Sequence, residues 1–134
     1  MSTPADGQVV LHFRDGVTDH CRLAADFAPR DVEIEVESDD GGHRRVHVGD
    51  LKAVFFLKHP RQRERDLERH TPDAGHLASP VARVEFFDGE IIRGRVTHYS
   101  VENTGFWLYP SALDSNNERI FVVARSLQTV SLEG

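Results

Sequence analysis

The sequence predicts an all-β chain of two tandem small β-barrels of about five strands each. Three observations lead there. The chain repeats itself: "VVLHFRDGVTDHCRL" (9–23) aligns with "VARVEFFDGEIIRGRV" (81–96), matching Phe13 to Phe86, Asp15 to Asp88 and Gly16 to Gly89. Apolar residues alternate with polar ones, most cleanly where Val32, Ile34 and Val36 interleave with Glu33, Glu35 and Glu37. Turn residues punctuate these runs at the spacing of short hairpins.

Each element follows in order. "VVLHF" and "VTDHCRL" are two strands joined by Asp15-Gly16, an aspartate-glycine turn that tolerates positive φ. The Val32–Glu37 run is the third strand, with one wet face, and Asp39-Asp40-Gly41-Gly42 turns the chain. "RRVHVGDLKAVFFL" (44–57) supplies the last strands of the first half and aligns with "ERIFVVARSLQTVSL" (118–132), allowing a one-residue gap near Gly49. The second half repeats the pattern around Gly89, with Ser115-Asn116-Asn117 as the turn before "RIFVV". The expected organisation is therefore one barrel over 1–58, a linker over 59–79 and a second barrel over 80–134. The linker is charged and carries Pro60 and Pro72, and residues 61–69 have room for a helical turn or two.

Bulk properties narrow the function classes. With 134 residues and 39% hydrophobic content, the composition is that of a water-soluble globular chain. No apolar run is long enough to span a bilayer, and "MSTPADG" shows no secretory pattern. A single cysteine, Cys21, precludes an internal disulfide and fits a reducing cytoplasm. The net charge of −6 opposes bulk attraction to phosphate backbones.

Within this frame the second half resembles the Sm/Lsm (Sm-like) barrel on Gly89, Gly94, Val96 and Tyr99, with "VVARSLQTV" (122–130) and "VGDLKAV" (48–54) similar to that family's second motif. Gly16 and Gly89 would make the hairpin turns, and Gly94 would let a bent strand curl without an inward side chain. Cys21 occupies the curling position in the first half. Through "LKAVFFLK", "FFDGE…G…YS…GFWLYP" and "SNNERIFV", the whole chain resembles an uncharacterised bacterial family of tandem Sm-like domains. That resemblance implies an association with signalling modules such as receiver and PilZ domains. The positions where Sm relatives contact RNA hold Ser100 and Thr104, and Val123-Ala124 and Val48-Gly49 stand in place of arginine-glycine, which argues against Sm-type RNA binding.

Other chemistry is weaker. Arg61, Arg65 and Arg69 repeat an RxxxR spacing like that with which PilZ domains clamp cyclic di-GMP. The partner segment fails, because Ser100 follows His98 and the glycine falls at 105. Eight histidines form no four-ligand zinc spacing, so no metal or cofactor is expected. Neither Cys21 beside His20 nor Ser100 near His98 has a third group to position it, so the chain is expected to be non-enzymatic. The informative feature is apolarity on both faces of two strands. "GFWLYP" sets Phe106 and Leu108 against Trp107 and Tyr109, and "AVFFL" sets Val54 and Phe56 against Phe55 and Leu57. Either the two halves cover these faces, or Trp107, Tyr109, Phe55 and Leu57 form an interface for a protein partner or a second copy. The expectation is a cytoplasmic, non-catalytic interaction or regulatory module, with nucleotide or RNA binding as the alternative.

Overall fold

The computed structural model describes residues 8–57, 79–111 and 117–133. They form ten strands: β1 (Gln8–Phe13), β2 (Thr18–Leu23), β3 (Glu33–Glu37), β4 (His43–His47), β5 (Leu51–Leu57), β6 (Val81–Phe86), β7 (Ile91–Thr97), β8 (Gly105–Pro110), β9 (Asn117–Val123) and β10 (Leu127–Glu133). Three-residue 3₁₀ turns, Val48–Asp50 and Ala124–Ser126, link β4 to β5 and β9 to β10. The all-β expectation holds, but the two separate barrels do not form. All ten strands belong to one open antiparallel sheet, ordered β10-β6-β7-β8-β9-β5-β1-β2-β3-β4.

The merger has a physical cause at its centre. β5 lies between β1 and β9, and β9 lies between β8 and β5, so both strands satisfy their backbone groups on two sides. Both faces of these central strands are then buried. Val54 and Phe56 enter one core with Val9, Leu11, Ile34, Val36 and Val46, while Ala53 and Phe55 enter another with Val84, Phe106, Leu108 and Val122. Because neighbouring strand residues point to opposite faces, the two cores lie on opposite sides of one sheet. A single layer buries a core only by bending over it, so the two ends of the sheet curl in opposite senses.

The repeat survives in the register. Leu11 faces Val54 as Val84 faces Val130, and Ile34 faces Val46 as Phe106 faces Val122. The amide of Arg14 donates to Asp50 and that of Phe87 to Ser126, both at 3.0 Å. Asp50 therefore corresponds to Ser126, and the two 3₁₀ turns have equal length. The one-residue gap expected near Gly49 is absent. Gly16 and Gly89 sit at the two hairpin turns with φ +95° and +93°.

Candidate functional site

The aromatic surface expected from the sequence is mostly inside the chain. Trp107 is 7% exposed and packs into the core of the first half. Its ring lies 5.4 Å from Phe56, 5.6 Å from Phe27 and 5.2 Å from Phe121, with the Arg119 guanidinium 4.1 Å from its centroid. Phe55 is equally buried in the core of the second half, and His12 stacks on it at 4.2 Å. Tyr109 and Leu57 are half-buried and pack against the first and second cores respectively. The two halves cover these faces themselves, so Trp107 and Phe55 are corrected from surface to core. The reason is that β8 and β9 carry their outward apolar residues into the neighbouring half.

Two edges of the sheet are left. Among the described residues β4 pairs only with β3, and β10 pairs only with β6. Beside β10 runs a groove of ≈ 290 Å³, lined by Tyr99, Phe106, Leu127 and Val130, with Ser100 and Asn103 also contributing. Tyr99 is 53% exposed and stacks 5.0 Å from Phe106, and Leu132 on the same edge strand is 58% exposed. The β4 edge is different in kind, since Arg45 pairs with Glu35 at 3.4 Å and His43 with Glu37 at 3.3 Å. Arg44 pairs with Asp19.

A second cavity, of ≈ 210 Å³, opens between the two 3₁₀ turns. Val32, Val48, Val123 and Ala124 give it an apolar wall, and His47, Asn103 and Arg125 are among its polar lining. Gly49 makes room for the arginine, because a Cβ there would meet Arg125 Nη1 at 2.9 Å. The Gly49 amide donates to His47 Nδ1 at 3.1 Å. Thr104 also borders this cleft, but its hydroxyl is committed to the carbonyls of Pro29 and Asp31, at 2.8 and 2.7 Å. Arg125, shifted in sequence from the position an Sm-type arginine takes, is brought to the cleft only by tertiary structure.

The halves are also tied by charge. Lys52 Nζ reaches Asp88 at 2.7 Å and Glu90 more closely still, and lies 4.7 Å from the Phe86 centroid. Burial lowers the Lys52 pKa, but hydrogen bonds to the two carboxylates outweigh it and hold the ammonium above its ordinary value. The hydrogen bond from Lys52 in turn draws Asp88 below the usual carboxylate range. Burial, and next the positive charge of Lys52, lower the His12 pKa. Burial, with Asp39 adding a smaller push, raises the Cys21 thiol, which suits an inert core cysteine.

Arg61, Arg65 and Arg69, the expected phosphate clamp, lie outside the described residues, as does the helical turn expected over 61–69. Ser100 is placed at the β10 groove, with its hydroxyl accepting from the Glu102 amide at 3.2 Å. Among the described residues no three His, Cys, Asp or Glu side chains gather as a metal site, and no helix is long and apolar enough to cross a membrane.

These features define a class: an all-β protein made from one internal repeat, with a shared central junction and two unlike sheet edges. The chain belongs to DUF6982, a family of unknown function, whose model matches residues 5–134. Neither the curated proteins nor the solved structures contain a match to it.

Proposed function

We propose that the chain is a non-catalytic protein-interaction module, acting in bacterial signalling in a reducing cytoplasm, that binds by adding a strand at a sheet edge. One observation carries this reading. β10 is the repeat counterpart of β5, yet β5 has a strand on both sides and β10 has one on only one side among the described residues. An unpaired row of amides and carbonyls beside apolar side chains is the usual setting for strand addition. Capture from native lysate by the intact chain, compared with a Leu132→Glu chain, tests it. A protein retained by the first and lost from the second supports the reading, and equal retention by both removes it.

The cleft between the 3₁₀ turns favours a second reading, binding of a nucleotide or short RNA. Arg125 and His47 border the apolar wall of a cleft of ≈ 210 Å³, and Arg125 has no carboxylate partner among the described residues. Cyclic di-GMP and a short RNA, titrated at low salt against wild type and Arg125→Ala, decide it. Salt-sensitive binding that the variant loses would promote this reading, and no binding at low salt ends it.

A further inference from the structure

We infer that the β10 edge is completed by β10 of a second copy of this chain, the two strands running antiparallel about a two-fold axis at Ser131. This deepens the interaction-module reading, on which it rests, by naming the occupant of the edge.

The backbone sets which residues of β10 are free to pair. The Phe86 amide donates to the Glu90 carbonyl and the Val96 amide to the Pro80 carbonyl, both at 2.9 Å. Alternate residues from Pro80 to Phe86 therefore turn their backbone groups toward β7, and Arg83 and Glu85 turn theirs toward β10. Ser131 and Thr129 lie opposite Arg83 and Glu85, so their amides and carbonyls are committed to β6. Those of Val130 and Leu132 face the open edge.

Side chains select one register for that edge. An axis at Ser131 sets Val130 opposite Leu132 of the second copy, and Leu132 opposite Val130 of the second copy. Free backbone groups then meet free ones, and both groove faces stay on one side of the sheet. The central junction shows what a residue in that place does. Val54 is the repeat counterpart of Val130, and Phe121 lies opposite it and enters the core of the first half. Leu132 of the second copy takes the place of Phe121, against the groove lined by Val130, Phe106 and Tyr99. Leu132 is 58% exposed in the single chain, whereas Phe56, its counterpart inside the junction, is 5% exposed. Each copy supplies the side chain that the other's groove lacks.

The strand also lacks what keeps copies apart. "LQTVSL" (127–132) has no charged residue, and Glu133 at its end is held by Arg93 at 2.6 Å. The axis sets Ser131 against itself, where a charge would meet its like and a small hydroxyl does not. β4, which reads "HRRVH", is of the opposite kind, with Arg45 paired to Glu35 on its exposed face. Joining β10 to β4 of a second copy would press that ion pair against Val130 and Leu132 with no apolar gain. Two-fold pairing uses both β10 edges and leaves a β4 edge at each end, so the assembly closes at two chains.

Sedimentation equilibrium of the full chain over a concentration series tests the association, and cysteine cross-linking tests the register. Wild type is expected to pass from one chain to two and stop there. Leu132→Glu, and Ser131→Arg, which sets two arginines together on the axis, should each weaken the dimer about tenfold or more. Under oxidised glutathione Ser131→Cys should cross-link to its own copy, because Cα atoms at an opposed, non-hydrogen-bonded position are about 4.5 Å apart. Thr129→Cys, also exposed and on the same strand face, should not, since Glu133 of the second copy lies opposite it. Cys21 is buried and does not compete. Equal cross-linking of the two cysteines, or a dimer unmoved by both Leu132→Glu and Ser131→Arg, would overturn the inference. So would a mass that climbs past two chains without the Ser131→Cys cross-link, which would join β10 to β4. A wild type that stays a single chain at millimolar concentration overturns it too, and the lysate capture then decides the reading beneath it separately. A protein held by wild type and lost from Leu132→Glu would make a foreign strand the occupant, and the absence of one would remove both.

Discussion

The first half of the molecule is closed and the second is open, although both use the same strands in the same order. The difference lies in a few positions. Where the second half carries Trp107, Phe121 and Val123, the first carries Glu35, Arg45 and His47. Where the first carries Val10, Ala53 and Phe55, the second carries Arg83, Thr129 and Ser131. Each half is apolar on both faces of the flank that meets its sibling, and on the flank that ends the sheet at least one of those faces is polar. Charge lines the β4 flank, where Arg45 meets Glu35, a general device against edge-to-edge aggregation, whereas β10 leaves Leu132 exposed. The repeat thus became a pair with two distinguishable ends.

Exchanging the counterparts should break this comparison most severely. Phe121→Arg would bury a charge in a core that has no carboxylate partner for it, and Trp107→Glu would remove an indole packed on Phe56, Phe27 and Phe121, leaving its carboxylate only Arg119 to meet. Each is expected to cost about 4 kcal/mol or more, because buried unpaired charges and lost aromatic packing are the largest single-residue effects known. Urea denaturation measures it, and a loss under about 1 kcal/mol would show that the junction does not close the first core. The reverse exchange, Glu35→Trp with Arg45→Phe, falls on exposed positions and should change stability by no more than about 0.5 kcal/mol. It should instead make the β4 edge sticky, with apparent mass rising with concentration in light scattering.

Next in size is the curling position. A Cβ on Gly94 would lie 2.2 Å from the Tyr109 carbonyl oxygen, whereas its counterpart Cys21 is accommodated and buried. Strand β8 therefore crowds β7 more tightly than β3 crowds β2. Gly94→Cys is expected to cost about 3 kcal/mol through backbone displacement, and Cys21→Gly about 1 kcal/mol through a small cavity and added chain entropy. Equal costs at both sites would mean that the two halves curl alike.

Much of this architecture was legible in the residues, and the reason for the rest is specific. Periodicity and turn chemistry locate the strands, because "EIEVE" and the two Asp-Gly turns are local signals. Apolarity on both faces of "AVFFL" and "GFWLYP" signals a second cover. The pairing of β5 with β9 is not local, however. Backbone edges carry no side-chain signature, so two barrels touching and one sheet continuing through both read alike in sequence. The cleft is illegible for the same reason. Arg125 and Gly49 meet only because equal 3₁₀ turns are brought face to face. The apparent gap near Gly49 came from aligning side chains, whereas the hydrogen bonds of Arg14 and Phe87 align Asp50 with Ser126.

A smaller effect separates the halves by pH. His12 stacks on Phe55 at the junction, and its counterpart Glu85 sits on β6 near the sheet's end. Burial and Lys52 depress the folded pKa of His12 below its ordinary 6.5, while Glu90, Asp88 and His20 act on it more weakly. A depressed histidine binds its proton more readily in the unfolded chain. Its contribution is therefore intact above pH 6.5 and is lost as pH falls through that value toward the folded pKa. Stability measured by urea titration should decline between neutrality and pH 5, and His12→Gln should flatten that decline. An unchanged slope in the variant would move the cause to another group.

The smallest effect belongs to the ion pair that crosses the junction. Lys52 is well covered, at 12% side-chain exposure, but Asp88 and Glu90 are open to solvent at 56% and 44%. Water and salt screen such carboxylates, so Lys52→Met, which keeps the aliphatic contact with Phe86, should cost no more than about 1 kcal/mol. The sign with pH is opposite in origin to that of His12. Asp88 titrates below its usual range, so its share is complete above the ordinary carboxylate pKa and disappears as acid protonates it through the lowered value. The difference between wild type and Lys52→Met should therefore shrink in acid and in high salt. If it persists in both, Lys52 stabilises the junction through packing on Phe86, and charge is not what binds the closed half to the open one.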